Sequence, residues 1–159
     1  MFPWEKKYIS SLYSFFPLVF PTIIFGTFKE YPELRNSCAL VTRQSPYYII
    51  ISRVNLIKRY YKRHTRQNSL FFADNFQEFF QMVIIHELGH LIHGEMENTN
   101  NEKDFIAMVM SQPRFSQYSR DGWRDLFAEL YTLHLMKPHL FTKEEKASFW
   151  KFINIGLKY

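Results

Sequence analysis

The chain of 159 residues carries 47% hydrophobic and 19% aromatic residues, with a formal charge of +5 and a pI near 9.3. That length suits one domain with a genuine core, and the composition excludes both a disordered chain and a simple coiled coil. The single cysteine, Cys38, excludes an internal disulfide framework and a cysteine-rich zinc finger, while the positive charge allows an anionic partner without requiring one.

In chain order, Trp4, Tyr8, Leu12 and Phe16 recur every four residues, which predicts a helix over 4–16. Lys6 and Lys7 ahead of this apolar stretch imitate a secretory signal, but Ser10, Ser11, Ser14, Pro17 and Pro21 interrupt it and no small-residue cleavage site follows. The expectation is packed N-terminal structure, and the compartment stays open. No apolar run reaches the roughly 18 residues of a membrane span. "TIIFGTF" and "SCALVT" read as short strands, and "YYIIIS" (47–52) as the strongest strand, with an edge on which an extended peptide could dock. Ser52 is placed to cap a helix over 53–66 with Val54, Ile57 and Tyr61 inward. Lys58, Arg59, Lys62, Arg63 and Arg66 then fall mostly outward, as a solvated face. Basic residues interleaved with Tyr60 and Tyr61 would suit single-stranded nucleic acid, but no recognised binding fold surrounds them and nucleic acid is not the expected partner.

Asp74 or Asn75 caps a helix expected to stop at Gly94. A polar loop (97–104), a short helix ended by Pro113, a turn "SQYSRDG" and a helix over 123–136 follow. Thr142 and Glu145 form a capping box for a last helix toward Tyr159. The expected fold is α+β: one mostly helical domain with a small sheet, residues 1–74 leading into the helices of 75–159. Tyrosines are expected to line any groove.

The chemistry sits in "FFQMVIIHELGHLIHG" (79–94), an apolar run interrupted by His86, Glu87, His90 and His93. Such groups lose hydration on burial unless something compensates them. On a helix, residues four apart share a face, so His86 and His90 can reach one ion, with Glu87 beside it. Zinc (Zn2+) lowers the pKa of a bound water to about 7, where a carboxylate can complete its activation. Gly89 costs the helix about 1 kcal/mol relative to alanine, and its small size would leave room for the metal or a passing peptide. A third ligand is needed. His93 lies too far along a straight helix to join the other two and reads as a helix-end or supporting residue, while position 96, the third histidine of the metzincin pattern, is Met96. Asp125 and Glu129 are the better candidates: they are four apart on one helix, and one can bind the metal while the other orients a ligand imidazole.

The HELGH motif, Tyr118 seven residues before Asp125, and the run of Asp125, Phe127, Ala128, Glu129 and Tyr131 together resemble the lethal-factor-type and Pro-Pro endopeptidase-like zinc metallopeptidases. The closing "SFWKFINIGLKY" is similar to the terminal helix of that family, and the resemblance covers about residues 75–159. It implies a zincin-like fold, zinc as cofactor and hydrolysis of a protein or peptide substrate. By the same resemblance His86, His90 and Asp125 are the ligands, Glu87 the general base, Tyr118 a donor to the oxyanion and Glu129 the supporting carboxylate. The family is largely secreted. It normally has glutamate where this chain has Asp125, so helix 123–136 must come closer to the metal here. Three other readings stand beside it. One is a cytosolic regulatory peptidase of the repressor-cleaving type, whose acidic ligand would fall at Trp123. The others are a metal-binding but inactive homologue and a basic nucleic-acid-binding module. A basic helix and many tyrosines would suit a peptide of acidic or proline-rich character.

Overall fold

The computed structural model describes residues 1–15, 20–42, 44–63, 73–116 and 122–155. The architecture is α+β, mostly helical with one small sheet. Helix α1 (Pro3–Phe15) leads into strand β1 (Thr22–Phe25), and a 3-10 turn (Pro32–Arg35) into β2 (Ala39–Val41) and β3 (Tyr48–Ile51). The remaining helices are α2 (Arg53–Arg63), α3 (Phe76–Met96), α4 (Asn100–Met110), α5 (Pro113–Ser116), α6 (Trp123–Met136) and α7 (Lys143–Ile153). Among the described residues no helix is long and apolar enough to cross a membrane.

The strand order is β1–β3–β2, with β1 parallel and β2 antiparallel to β3. Ile49, Ile50 and Ile51 are buried, as the middle strand of a covered sheet requires. The strand read as a docking edge is therefore the centre of the sheet. Edge positions fall to β1 and β2, an order fixed by tertiary pairing rather than by the strength of any one strand.

Helix α3 is the axis of the core. Phe79, Phe80, Met82, Ile84, Ile85, Leu88, Leu91, Ile92 and Met96 are buried around nearly its whole circumference, which marks a helix enclosed by other elements. Its start is capped by Asn75, whose side chain accepts from the Glu78 N–H at 2.8 Å, while the Glu78 carboxylate accepts from the Asp74 N–H. Its end is not Gly94. The helix runs on to Met96, and the left-handed residue that turns the chain is Asn98, at φ 61°. The turn is short, so α4 already begins at Asn100 inside the expected polar loop, and Pro113 opens α5 rather than closing the helix before it.

Rings hold the C-terminal helices together. Phe127 of α6 lies 5.1 Å from Phe105 of α4 and 5.7 Å from Phe149 of α7, and Phe105 lies 5.6 Å from Phe152. The Thr142–Glu145 capping box forms as expected, and Arg114 donates to Glu145 at 2.9 Å.

The N-terminal helix is packed structure too. Ile9 and Leu12 are buried, and Trp4 meets Phe80 edge-on at 5.1 Å. Glu5, 1% exposed, accepts from the Phe2 N–H at 2.7 Å and pairs with Arg53 at 2.8 Å. The Arg53 guanidinium also lies over the Phe2 and Phe25 rings, 4.8 and 4.5 Å from their centroids. That contact rotates α2. Leu56 is its buried residue, whereas Val54, Ile57 and Tyr61, expected inward, are 62%, 41% and 69% exposed. Lys58, Arg59 and Lys62 are exposed as expected, and Arg66 lies outside the described residues.

Candidate metal centre

HELGH lies within α3, so His86 and His90 stand one turn apart on the same face. Their rings are 4.7 Å apart and nearly perpendicular, at 88°. The donor atoms of His86, Glu87 and His90 gather within 4.8 Å of one another. From α6, Asp125 Oδ1 comes to 3.3 Å from His90 Nε2. Two ligands about 2.0–2.1 Å from a tetrahedral ion stand about 3.3–3.4 Å apart, so that separation matches one edge of a zinc site. Imidazoles and carboxylates are the donor types of a catalytic zinc site; the donors that gather here are those of His86, Glu87 and His90, and Asp125 adjoins them through His90.

The approach of α6 depends on Gly89. A Cβ there would lie 2.8 Å from Ala128 Cα, so Gly89 accommodates the α6 backbone, not a passing peptide. The close crossing sets Ala128 against Gly89 and brings Asp125 and Glu129, on the same face of α6, to the cavity of the histidine pair.

These side chains open into a cavity of about 390 Å3. Its walls include His86, Glu87 and His90 of α3, Asp125 and Glu129 of α6, and the β2 segment from Ala39 to Val41. Glu129 is thus brought to the same cavity as Asp125. Two further wall residues, Arg59 of α2 and Arg124 of α6, escaped the sequence reading. Arg124 had a signal, its position beside Asp125, whereas Arg59 was hidden among the outward charges of α2. Among the described residues no tyrosine lines this cavity, and Phe79 is the one aromatic there apart from the imidazoles.

Burial pushes the Glu87 carboxyl up to about 7, against the pull of Arg124, with Asp125 raising it further and Arg59 lowering it. A carboxyl near neutrality can both take and return a proton. A dication beside it would lower that value.

His93 takes no part. It is 3% exposed at the far end of α3, 5.6 Å from the Phe127 ring, with Nδ1 and Nε2 each 3.7 Å from the carboxylates of Glu97 and Glu102 respectively. It is a helix-end residue in the core. Tyr118 lies outside the described residues. Comparisons with known protein families, with curated proteins and with solved structures find no match.

Proposed function

We propose that the protein is a zinc-dependent endopeptidase of zincin-like fold that hydrolyses peptide bonds in a protein or peptide substrate. The observation that carries this reading is the meeting of Asp125 with His90 at 3.3 Å, beside His86 and Glu87, in an open cavity. An acid and a histidine 35 positions apart in sequence are brought together, which supports Asp125 as the third ligand that HELGH requires.

His86, His90 and Asp125 would hold the ion, and Glu129 would orient a ligand imidazole. A zinc ion held there would supply Lewis acidity toward the scissile carbonyl and toward water. Glu87 accepts the proton of the attacking water and delivers it to the departing amine. The Tyr118 hydroxyl donates to the oxyanion. Among the described residues no strand pairs with the outer side of β2, which borders the cavity, and that edge can receive an extended peptide.

The test combines metal content with turnover of a random peptide library. Protein purified without chelator is expected to carry about one zinc per chain. Glu87→Gln preserves size and should keep the zinc while turnover collapses. Tyr118→Phe removes one hydroxyl and should lower turnover by about 10²–10³ with little change in substrate affinity. Absence of any transition metal, or undiminished cleavage by zinc-loaded Glu87→Gln, overturns the reading.

A further inference from the structure

The proposed centre employs the imidazoles and carboxylates of the cavity but leaves two of its charges without a task. Arg124 stands in the first turn of α6, beside Asp125, and Arg59 reaches the same cavity from α2. Arg124 is half-buried, and its Nε is shut off from solvent with no hydrogen-bond partner. Among the described residues, Arg124 forms neither a hydrogen bond nor an ion pair. Arg59 makes one long hydrogen bond, 3.4 Å to the Asn36 carbonyl, and no ion pair.

If these guanidiniums merely neutralised the acids of the centre, Glu87, Asp125 or Glu129 would lie within ion-pair distance of one of them, and among the described residues none does. Both line the same cavity as Glu87. The Arg124 Nε, withdrawn from water without a partner, is costly to leave unpaired, and the planar fork of a guanidinium matches a carboxylate through two parallel hydrogen bonds. Of the two substrate characters suggested by the sequence, the proline-rich one finds a single ring, Phe79, in the described cavity lining. The acidic one finds two arginines.

We infer that the cavity selects a peptide bearing a carboxylate, held by Arg124 and attracted by Arg59, so that the neighbouring peptide bond lies against Glu87. What happens to that peptide rests on the peptidase reading; its capture does not. The carboxylate can belong to an acidic side chain or to a chain terminus.

The probes are three fluorescent pools of short random peptides without other acidic residues: central Glu with an amidated terminus, central Gln with an amidated terminus, and central Gln with a free terminus. Binding is measured on the full zinc-loaded chain carrying Glu87→Gln, alone and combined with Arg124→Gln, Arg124→Lys or Arg59→Gln. Thermal melts verify that each variant is folded. One carboxylate pool should bind about tenfold or more tightly than the Gln amide pool, and which one it is identifies the source. Arg124→Gln should abolish the preference, Arg124→Lys keep part of it, and Arg59→Gln weaken it with a loss of salt sensitivity. If Arg124→Gln does not fold, Arg124→Lys decides, because the fork requires it to lose affinity. Equal binding of all pools, or a preference unchanged in the folded Arg124 variants, overturns the inference. The same pools offered to protein retaining Glu87 separate the two claims. Selective binding without cleavage removes the peptidase and keeps the carboxylate site, whereas cleavage of all pools at one rate does the reverse.

Discussion

Gly89→Ala sets helix propensity against packing. In an isolated helix the change stabilises by about 1 kcal/mol. In α3 the new Cβ would meet Ala128 Cα at 2.8 Å, its Cβ at 3.2 Å and its carbonyl oxygen at 3.4 Å. Carbon atoms rest about 3.5–4.0 Å apart, so α6 must withdraw by about 0.7 Å, and backbone cannot rotate aside as a side chain can. Overpacking of this kind costs about 1–3 kcal/mol, which exceeds the propensity gain and leaves a net loss of about 1 kcal/mol. For a chain of this size the melting temperature should fall by about 2–4 °C. Gly94 is the internal control: it lies in the same helix, nothing stands within 4 Å of its added Cβ, and Gly94→Ala should stabilise by about 0.5–1 kcal/mol. The metal consequence is larger. Asp125 is one turn before Ala128 on the same helix, and ligand distances tolerate only about 0.2 Å, so zinc affinity of Gly89→Ala should drop by about tenfold or more. Urea and thermal melts with and without zinc, together with competition against a chromophoric chelator, read both effects. If Gly89→Ala melts at or above wild type and binds zinc equally, α6 does not depend on this contact.

Three further outcomes follow from the packing. Asn75→Ala removes the acceptor for the Glu78 N–H and should cost about 1 kcal/mol, read as a lower urea midpoint with unchanged slope. Phe127→Ala empties the centre of the ring cluster joining α4, α6 and α7 and should cost about 3–5 kcal/mol, with loss of near-ultraviolet dichroism; a cost under 1 kcal/mol would mean the cluster collapses to fill the void. Burial lowers the pKa of His93 against the pull of Glu102 and Glu97, with Arg124 adding to the lowering, so the unfolded chain takes up its proton first, near pH 6.5. Stability is therefore full above that pH and declines as pH falls below it, and His93→Gln should flatten the urea midpoint between pH 7.5 and 5. His134, also lowered by burial, leaves a residual slope of the same sign, and a slope unchanged in His93→Gln would assign the whole effect elsewhere.

What could be read from sequence was what is decided locally. Asn75 and Glu78 announce the start of α3, Thr142 and Glu145 that of α7, and the apolar rows between them already mark buried helices. Asp125 and Glu129 were candidates because residues four apart share a helix face, a rule that holds before any tertiary contact exists. The failures have a common origin. Helix α2 carries two competing rows, Val54–Ile57–Tyr61 and Arg53–Leu56–Tyr60, and local periodicity favours the more apolar one. The winner was chosen by Glu5, 48 residues away, which buries its carboxylate against Arg53. Gly94 was a plausible helix end until Asn98 took the left-handed conformation instead. Gly89 betrays nothing of Ala128. The central place of β3 depends on which strands find it, and Arg59 belongs to the cavity only because α2 is turned as it is.

Strand β2 bears on how copies of the chain meet. An open sheet edge is a template on which a second identical strand can add, the starting point of edge-to-edge aggregation. Only Ala39, Leu40 and Val41 form this strand, a rise of about 10 Å. Stacked self-pairing draws its strength from segments of about six or seven residues in register, roughly twice what β2 presents. A segment this brief offers fewer backbone groups than register-stacked self-pairing draws on, so the shortness of β2 works against edge-to-edge growth.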